Sequence, residues 1–266
     1  MANIHVVEHG SGNTAMVIFH GGMGLDHSHL RYLDPLGNAV RLIYFDATGH
    51  GRSAEPADWN SITHESWVDD AEAVRAQRGI ERWLVFGHSY GAFLALTYAL
   101  RHRQRVTGII LSNVAPSFDH RDRIIANVMK RATPEIATLF GRALSLGPES
   151  DDEMGKGWRA LLPLYFHRWN PLYLDAFAST RYSAAGYRRG NVLLGGYDVS
   201  ARLVELPPAL VISGDDDFMF PVHLGAQIAM AVVRGQHAVL AATGHFPFIE
   251  NPASFFQCVR DFIVRS

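Results

Sequence analysis

Cysteine, lysine and long apolar runs are what this chain has least of. A single Cys258 among 266 residues excludes an intramolecular disulfide, a paired-thiol redox motif and a cysteine-rich zinc site. Cys258 falls in the pattern Phe255, Phe256, Cys258, Val259, Phe262 and is expected as a small buried hydrophobe. Lys130 and Lys156 are the only lysines among 24 basic residues, and 26 acidic residues bring the net charge to −2. That balance excludes the basic surface a nucleic-acid binder needs, and we read the bias toward arginine as compositional. The longest apolar stretch, Leu84 to Leu100, is interrupted by Gly87, His88 and Ser89 and is too short for a membrane span. The first residues, Met-Ala-Asn-Ile-His, carry neither the basic nor the apolar segment of a secretory leader, so a cytoplasmic location is expected.

What is present is a rhythm. Short, nearly all-apolar runs at Ile4–Glu8, Ala15–His20, Val40–Asp46, Trp83–Gly87, Val106–Ser112, Ala209–Ser213 and His237–Ala241 suit strands covered on both faces. Helical patterns at Ser66–Arg78, Tyr90–Arg103, Val222–Val233 and Ala253–Val264 alternate with them. The expectation is an α/β, doubly wound, mostly parallel sheet. Between Ala115 and Tyr197 the strand pattern stops, and helical segments rich in aromatics (Trp158, Tyr165, Phe166, Trp169, Tyr173, Phe177, Tyr182, Tyr187) take over. A structureless loop of that length is improbable. Residues 1–114 and 198–266 are therefore expected to form the core, and residues 115–197 a helical cap. Many of its aromatics would pack the cap down, and a few would line a pocket beneath it.

Gly87-His88-Ser89-Tyr90-Gly91 follows an apolar strand and opens a helix, which is the context a GxSxG pattern needs to present a nucleophile. The glycines permit the tight turn, and Ser89 Oγ is lifted above the sheet. The Tyr90 N–H then lies at a helix N-terminus, where it can face an oxyanion. A serine hydroxyl needs a base. His88 is a poor candidate because adjacent side chains on the turn diverge. His245, in the loop after the last strand, is the better one. The orienting acid should fall between them in sequence, and Asp215, Asp216 and Asp217 all qualify by register. The second oxyanion donor is expected from His20-Gly21-Gly22-Met23-Gly24, at Gly22 or, second, Met23.

Other clusters are read structurally. The turn Asp46-Ala47-Thr48-Gly49-His50-Gly51-Arg52-Ser53 lacks any full phosphate-binding pattern. His20, His27 and His29 with Asp26 carry metal-ligand chemistry, but no HExxH helix accompanies them, and no metal or cofactor is expected. The run from Arg101 to Arg105 suits the solvated end of a helix.

With these pieces in order, the chain resembles the α/β-hydrolase superfamily over essentially its whole length. His20-Gly21-Gly22, Asp46 to Ser53, Gly87 to Gly91, Gly214…Asp217…Pro221 and Gly244-His245…Glu250-Asn251-Pro252 carry the resemblance. It implies that Asp217 is the acid, three residues after the glycine and four before the proline. The stretch His20 to Leu36 looks most like the proline iminopeptidase group, with Met23 in place of a proline and Ala47-Thr48 where Gln-Arg is common. In that group cap carboxylates hold the substrate's ammonium; here Glu135, Glu149, Asp151, Asp152, Glu153 and Asp175 are available. A solvated run is the plainer reading of Asp151-Asp152-Glu153. The expectation is a serine hydrolase with Ser89, His245 and Asp217 as catalytic residues and Gly22 and Tyr90 as oxyanion donors. It would cleave an ester or amide of a small-molecule or short-peptide substrate, as an aminopeptidase or as a carboxylesterase or lactonase. A non-hydrolytic lyase or oxygenase, or a ligand-binding protein, are the rival classes on the same fold.

Overall fold

The computed structural model describes residues 3–265. Seven strands form one sheet: β1 (Val6–His9), β2 (Ala15–Phe19), β3 (Arg41–Phe45), β4 (Trp83–His88), β5 (Val106–Ser112), β6 (Ala209–Gly214) and β7 (Gly235–Leu240). They are ordered β1-β3-β2-β4-β5-β6-β7. Each lies within two residues of its expected position. Only β1 runs antiparallel, pairing Val6 with Phe45 and His9 with Leu42. The other pairings are parallel. Every residue of β2, β4 and β6 is buried. Successive side chains leave a strand on opposite faces, so burial of all of them means both faces are covered.

The covering helices are α1 (His64–Gln77), α2 (Tyr90–Arg101), α7 (Val222–Ala231) and α9 (Pro252–Arg265), with the short α8 (Pro247–Glu250) before the last. Thr63 starts α1 with a capping box, its hydroxyl accepting from Ser66 N while Ser66 Oγ accepts from Thr63 N. Ten of the twelve residues of α2 are buried, which fits a helix enclosed by protein on all sides. Cys258 differs from expectation: it is half-buried, because Phe255, Phe256, Val259 and Phe262 fill the inward face of α9.

Between β5 and β6 lie α3 (Arg121–Arg131), α4 (Pro134–Ser145), α5 (Asp151–Leu161) and α6 (Ala184–Leu194). Thr133, Ser150 and Ser183 cap the last three through their hydroxyls. This helical insertion is strapped to the glycine-rich loop after β2. Ser183 N donates to Gly24 O at 2.7 Å and Asp26 N to Arg181 O at 3.2 Å. Among the described residues no helix is long and apolar enough to cross a membrane.

The strand order fixes where a site can form. The chain moves from β2 outward to β3, then crosses back to β4 on the other side of β2. The carboxyl ends of β2 and β4 therefore flank the point where the winding reverses, and a crevice opens there. The Gly22 loop leaves β2 at this edge, and Ser89 leaves β4.

Candidate active site

Ser89 occupies the single residue between β4 and α2, with φ 54° and ψ −123°. Positive φ is costly for a residue with a Cβ. The turn is held by Ser89 N donating to Ser112 O at 2.9 Å and is crowded on every side. A Cβ on Gly87 would lie 2.4 Å from Gly91 O, and one on Gly91 would lie 2.2 Å from Phe19 O. The two glycines of the motif are needed for space, since neither has a positive φ.

His245 follows β7 in the loop before α8 and is buried. Its Nδ1 lies 2.9 Å from Asp217 Oδ2. The same oxygen accepts from Asn113 Nδ2 at 2.7 Å, and Asp217 Oδ1 accepts from Met219 N at 2.9 Å. Burial opposes ionisation of Asp217, but the charge and hydrogen bond of His245, with the donors Asn113 and Met219, hold its carboxyl below the usual range. Since Nδ1 faces Asp217, Nε2 is the nitrogen of His245 left for chemistry. The other two acids of the run are engaged elsewhere. Asp215 Oδ1 accepts from Thr243 N at 3.2 Å, while Asp216 pairs with Arg131 and with His167.

The His245 loop is positioned from three sides. His245 N donates to Tyr165 O at 2.6 Å. Its carbonyl accepts from His88 Nε2 at 2.7 Å. Phe220 stacks on its ring at 5.8 Å. His88 therefore faces back into the fold, as its divergence from Ser89 predicts. Burial, and then the nearby His245, push its pKa well below the ordinary value, so it donates as a neutral imidazole. Asn113, His88 and Tyr165 were missed as site residues by sequence reasoning. Asn113 had one available signal: it directly follows β5 at the same sheet edge as Ser89.

Gly22, Ser89, Tyr90 and His245 line one cavity, which lies between the sheet edge and the helical insertion. Its volume is about 110 Å³. Tyr90 is the first residue of α2, so its N–H is among those with no partner within the helix. The glycine-rich loop comes close: a Cβ on Gly21 would meet His88 O at 2.3 Å. The walls are apolar, with Leu25, Phe93, Met154, Leu161, Phe220 and Phe246 prominent. Of the insertion's aromatics, Phe118, Phe140, Trp158, Tyr165 and Tyr187 reach the cavity, whereas Phe166, Trp169 and Tyr173 pack together beside it.

Glu153 is the lone carboxylate on the cavity wall among the described residues. It is already paired, lying 3.0 Å from Arg142 Nη2 and accepting from Glu149 N at 2.7 Å. The other acids available in the insertion do not reach the cavity. Asp151 accepts from Ala184 N at 2.7 Å, Asp152 pairs with Lys156 at 2.7 Å, and Glu135 and Asp175 are exposed.

The histidines near the glycine-rich loop do not converge on a common point. His20 Nε2 accepts from Ala47 N at 3.1 Å. His27 Nδ1 lies 2.6 Å from Asp46 Oδ1. His29 Nδ1 lies 3.0 Å from the Asp26 carbonyl. Donor atoms of His5, His27 and Asp46 fall within 4.8 Å of one another, but the direct bond between His27 and Asp46 already satisfies that pair. Asp46 also accepts from Arg52 N at 2.9 Å, which makes its loop the structural turn expected.

A family model described as alpha/beta hydrolase fold matches residues 14–252. The chain belongs to the α/β-hydrolase family. Within it, this α/β hydrolase is close to the proline iminopeptidase group. It is 34% identical over 249 residues to proline iminopeptidase PfmaB of Pestalotiopsis fici, covering 89% of this chain and 86% of the relative. Solved folds of similar shape include a proline iminopeptidase of Mycobacterium smegmatis, at TM-score 0.78 and 20% identity over 99% of this chain and 95% of that one. An enol-lactonase of Burkholderia xenovorans LB400 superposes at TM-score 0.73 and 23% identity, over 99% and 97%. These α/β hydrolases share the fold while their names point to different bonds.

Proposed function

We propose that this α/β hydrolase cleaves neutral, largely apolar carboxylic esters or lactones through a covalent acyl-serine, with residues 115–197 as its cap. The observation that carries the reading is the convergence of Ser89, His245, Gly22 and Tyr90 on one cavity with Asp217 bonded behind His245. In this scheme Ser89 Oγ attacks the substrate carbonyl as His245 Nε2 takes its proton. The N–H groups of Gly22 and Tyr90 receive the developing oxyanion. His245 passes the proton to the leaving alkoxide, whose bond to carbon breaks. A water then adds by the same relay, releasing the acid and restoring Ser89. Asp217, ionised, holds the imidazole tautomer and favours the imidazolium.

The preference for neutral substrates rests on Glu153. An aminopeptidase must pay for desolvating an α-ammonium with a free carboxylate, and the one at this wall is already paired with Arg142, which also holds Glu149. The aminopeptidase reading keeps support from the relatives' names alone. The test sets p-nitrophenyl butyrate against prolyl p-nitroanilide with a free amine. Ester turnover with anilide turnover at least a hundredfold lower is expected. Efficient anilide cleavage would reverse the assignment of substrate. No turnover of either, with Ser89 left unlabelled by a fluorophosphonate, would remove the acyl-serine scheme itself.

A further inference from the structure

Two polar groups on the cavity wall have no partner among the described residues, and they are complementary. Trp158, on α5, lines the cavity, and its indole N–H is sealed from bulk solvent without a hydrogen bond. An indole can only donate, and a buried donor left unmade is costly. His29 lines the same cavity and is fully buried. Its Nδ1 faces the carbonyl of Asp26, which can only accept, so the proton belongs on Nδ1 and Nε2 is an acceptor. Among the described residues the hydrogen bond of the His29 ring is the one at Nδ1, which leaves Nε2 without a donor. Burial lowers the His29 pKa to about 3, which keeps the ring neutral. Both rings are fixed on Phe177. His29 stacks on it at 5.7 Å and 13°, and Trp158 meets it edge-on at 6.1 Å. Around them the wall is apolar: Leu25, Met154, Leu161 and Phe246.

We propose that Trp158 and His29 form a neutral subsite for a secondary amide carried in the apolar chain of the substrate, its C=O accepting from Trp158 Nε1 and its N–H donating to His29 Nε2. A trans amide presents these two groups on opposite edges, so it suits a donor and an acceptor placed on two walls. A carboxylate could serve only the Trp158 N–H and an ammonium only His29 Nε2, each desolvated without a counter-charge, and an alkyl chain would leave both unmade. The proposal rests on the reading of this cavity as the acyl pocket, and its experiment is chosen not to need turnover.

In the Ser89→Ala protein, binding of N-butylhexanamide is compared by calorimetry with that of 6-undecanone, which replaces the N–H by CH₂. The subsite predicts that the amide binds about fivefold or more tightly than the ketone, since its hydrogen bonds then outweigh the extra desolvation. His29→Phe erases that preference. The carbonyl stretch of the bound ketone, lowered by the indole donor, rises in Trp158→Phe, which loss of packing alone would not produce. Should His29→Phe not fold, the infrared shift and the wild-type-site preference decide. Equal or weaker amide binding, no binding of either ligand to the folded protein, or an unmoved carbonyl stretch would overturn the subsite. Failure of the acyl-serine scheme reads out separately, in the wild-type enzyme with p-nitrophenyl butyrate.

Discussion

Asn113 donates to the same oxygen of Asp217 that faces His245, at 2.7 Å against 2.9 Å. Asp217 is thus held by a neighbour from β5 while it serves the loop after β7. Asn113 has φ 52°, a left-handed conformation that asparagine tolerates and that turns its amide toward the carboxylate. Asn113→Gly removes the amide and keeps the backbone accessible. Hydrogen bonds to charged groups contribute about 1.5–3 kcal/mol, so kcat/KM for an ester should fall roughly tenfold to a hundredfold. Asp217 also loses a group that favours its charged form, so the acid limb of the pH–rate profile of the coupled pair should move to higher pH. A rate loss with an unmoved limb would assign Asn113 to folding alone.

Ser89→Ala and Ser89→Gly separate chemistry from strain. Both should lower ester turnover by about a thousandfold or more. Alanine keeps the positive φ of 54°, so its melting temperature should stay near wild type. Glycine relieves a cost of about 1–3 kcal/mol, offset by its larger unfolded-state entropy, for a net gain near 1 kcal/mol by denaturant titration. Equal stabilities for the two variants would show that the turn stores no strain.

How far the sequence alone reached follows from the reach of each interaction. The strands were legible because parallel strands buried on both faces are near-continuous apolar runs, as in Met16–Phe19 and Leu84–Phe86. Ser89 was legible because its strand, turn and helix are contiguous. Asp217, Asp215 and Asp216 were not separable by residue type; what divides them is that Asp217 alone of the three meets His245. Asn113 and Tyr165 act across long sequence separations, through a side-chain amide and a main-chain carbonyl that no local pattern reveals. The pairing of Glu153 with Arg142 spans two helices of the insertion, so the acids could be counted in sequence but not their freedom to bind a ligand. Cys258 was misplaced on α9, where the rotation of about 100° per residue that separates it from buried Val259 leaves it half-buried.

Gly91 and Gly79 should respond differently to alanine. On Gly91 a Cβ would meet Phe19 O at 2.2 Å and His20 O at 2.6 Å, both backbone atoms of the strand and loop that lead to Gly22. Neither can yield without shifting the sheet edge. Gly91→Ala should cost about 3 kcal/mol and depress ester turnover with it. Gly79, at φ 62°, has nothing within 4 Å of its Cβ position. Gly79→Ala should cost only the left-handed strain, roughly 1 kcal/mol, and leave turnover alone. Equal losses of stability, measured by urea titration, would refute the crowding argument.

Six buried histidines, His20, His29, His50, His64, His88 and His120, have pKa values pushed down, in each case with burial as the largest cause. His50 and His64 fall to about 4 and His29 to about 3, from an ordinary 6.5. In the unfolded chain these rings take up a proton as pH drops through about 6.5, whereas in the folded protein they stay neutral. The unfolded state then binds more protons, so stability is fully present above about pH 6.5 and is lost as pH falls toward 4. Each ring contributes a slope of up to about 1.4 kcal/mol per pH unit within its window. Asp46, held below the usual carboxylate range against its burial by His27, adds to the loss below about pH 4. The melting temperature should therefore fall steeply between pH 6.5 and 4.5 on scanning calorimetry. His64→Gln keeps a donor toward Tyr90 Oη, which lies 2.9 Å from His64 Nε2, and removes one titrating ring. Its fall over the same interval should be shallower by one proton's worth. A wild-type melting temperature flat from pH 7.5 to 4.5 would mean that these rings are protonated in the folded protein, and the neutral tautomers assigned to His29 and His88 would have to be abandoned.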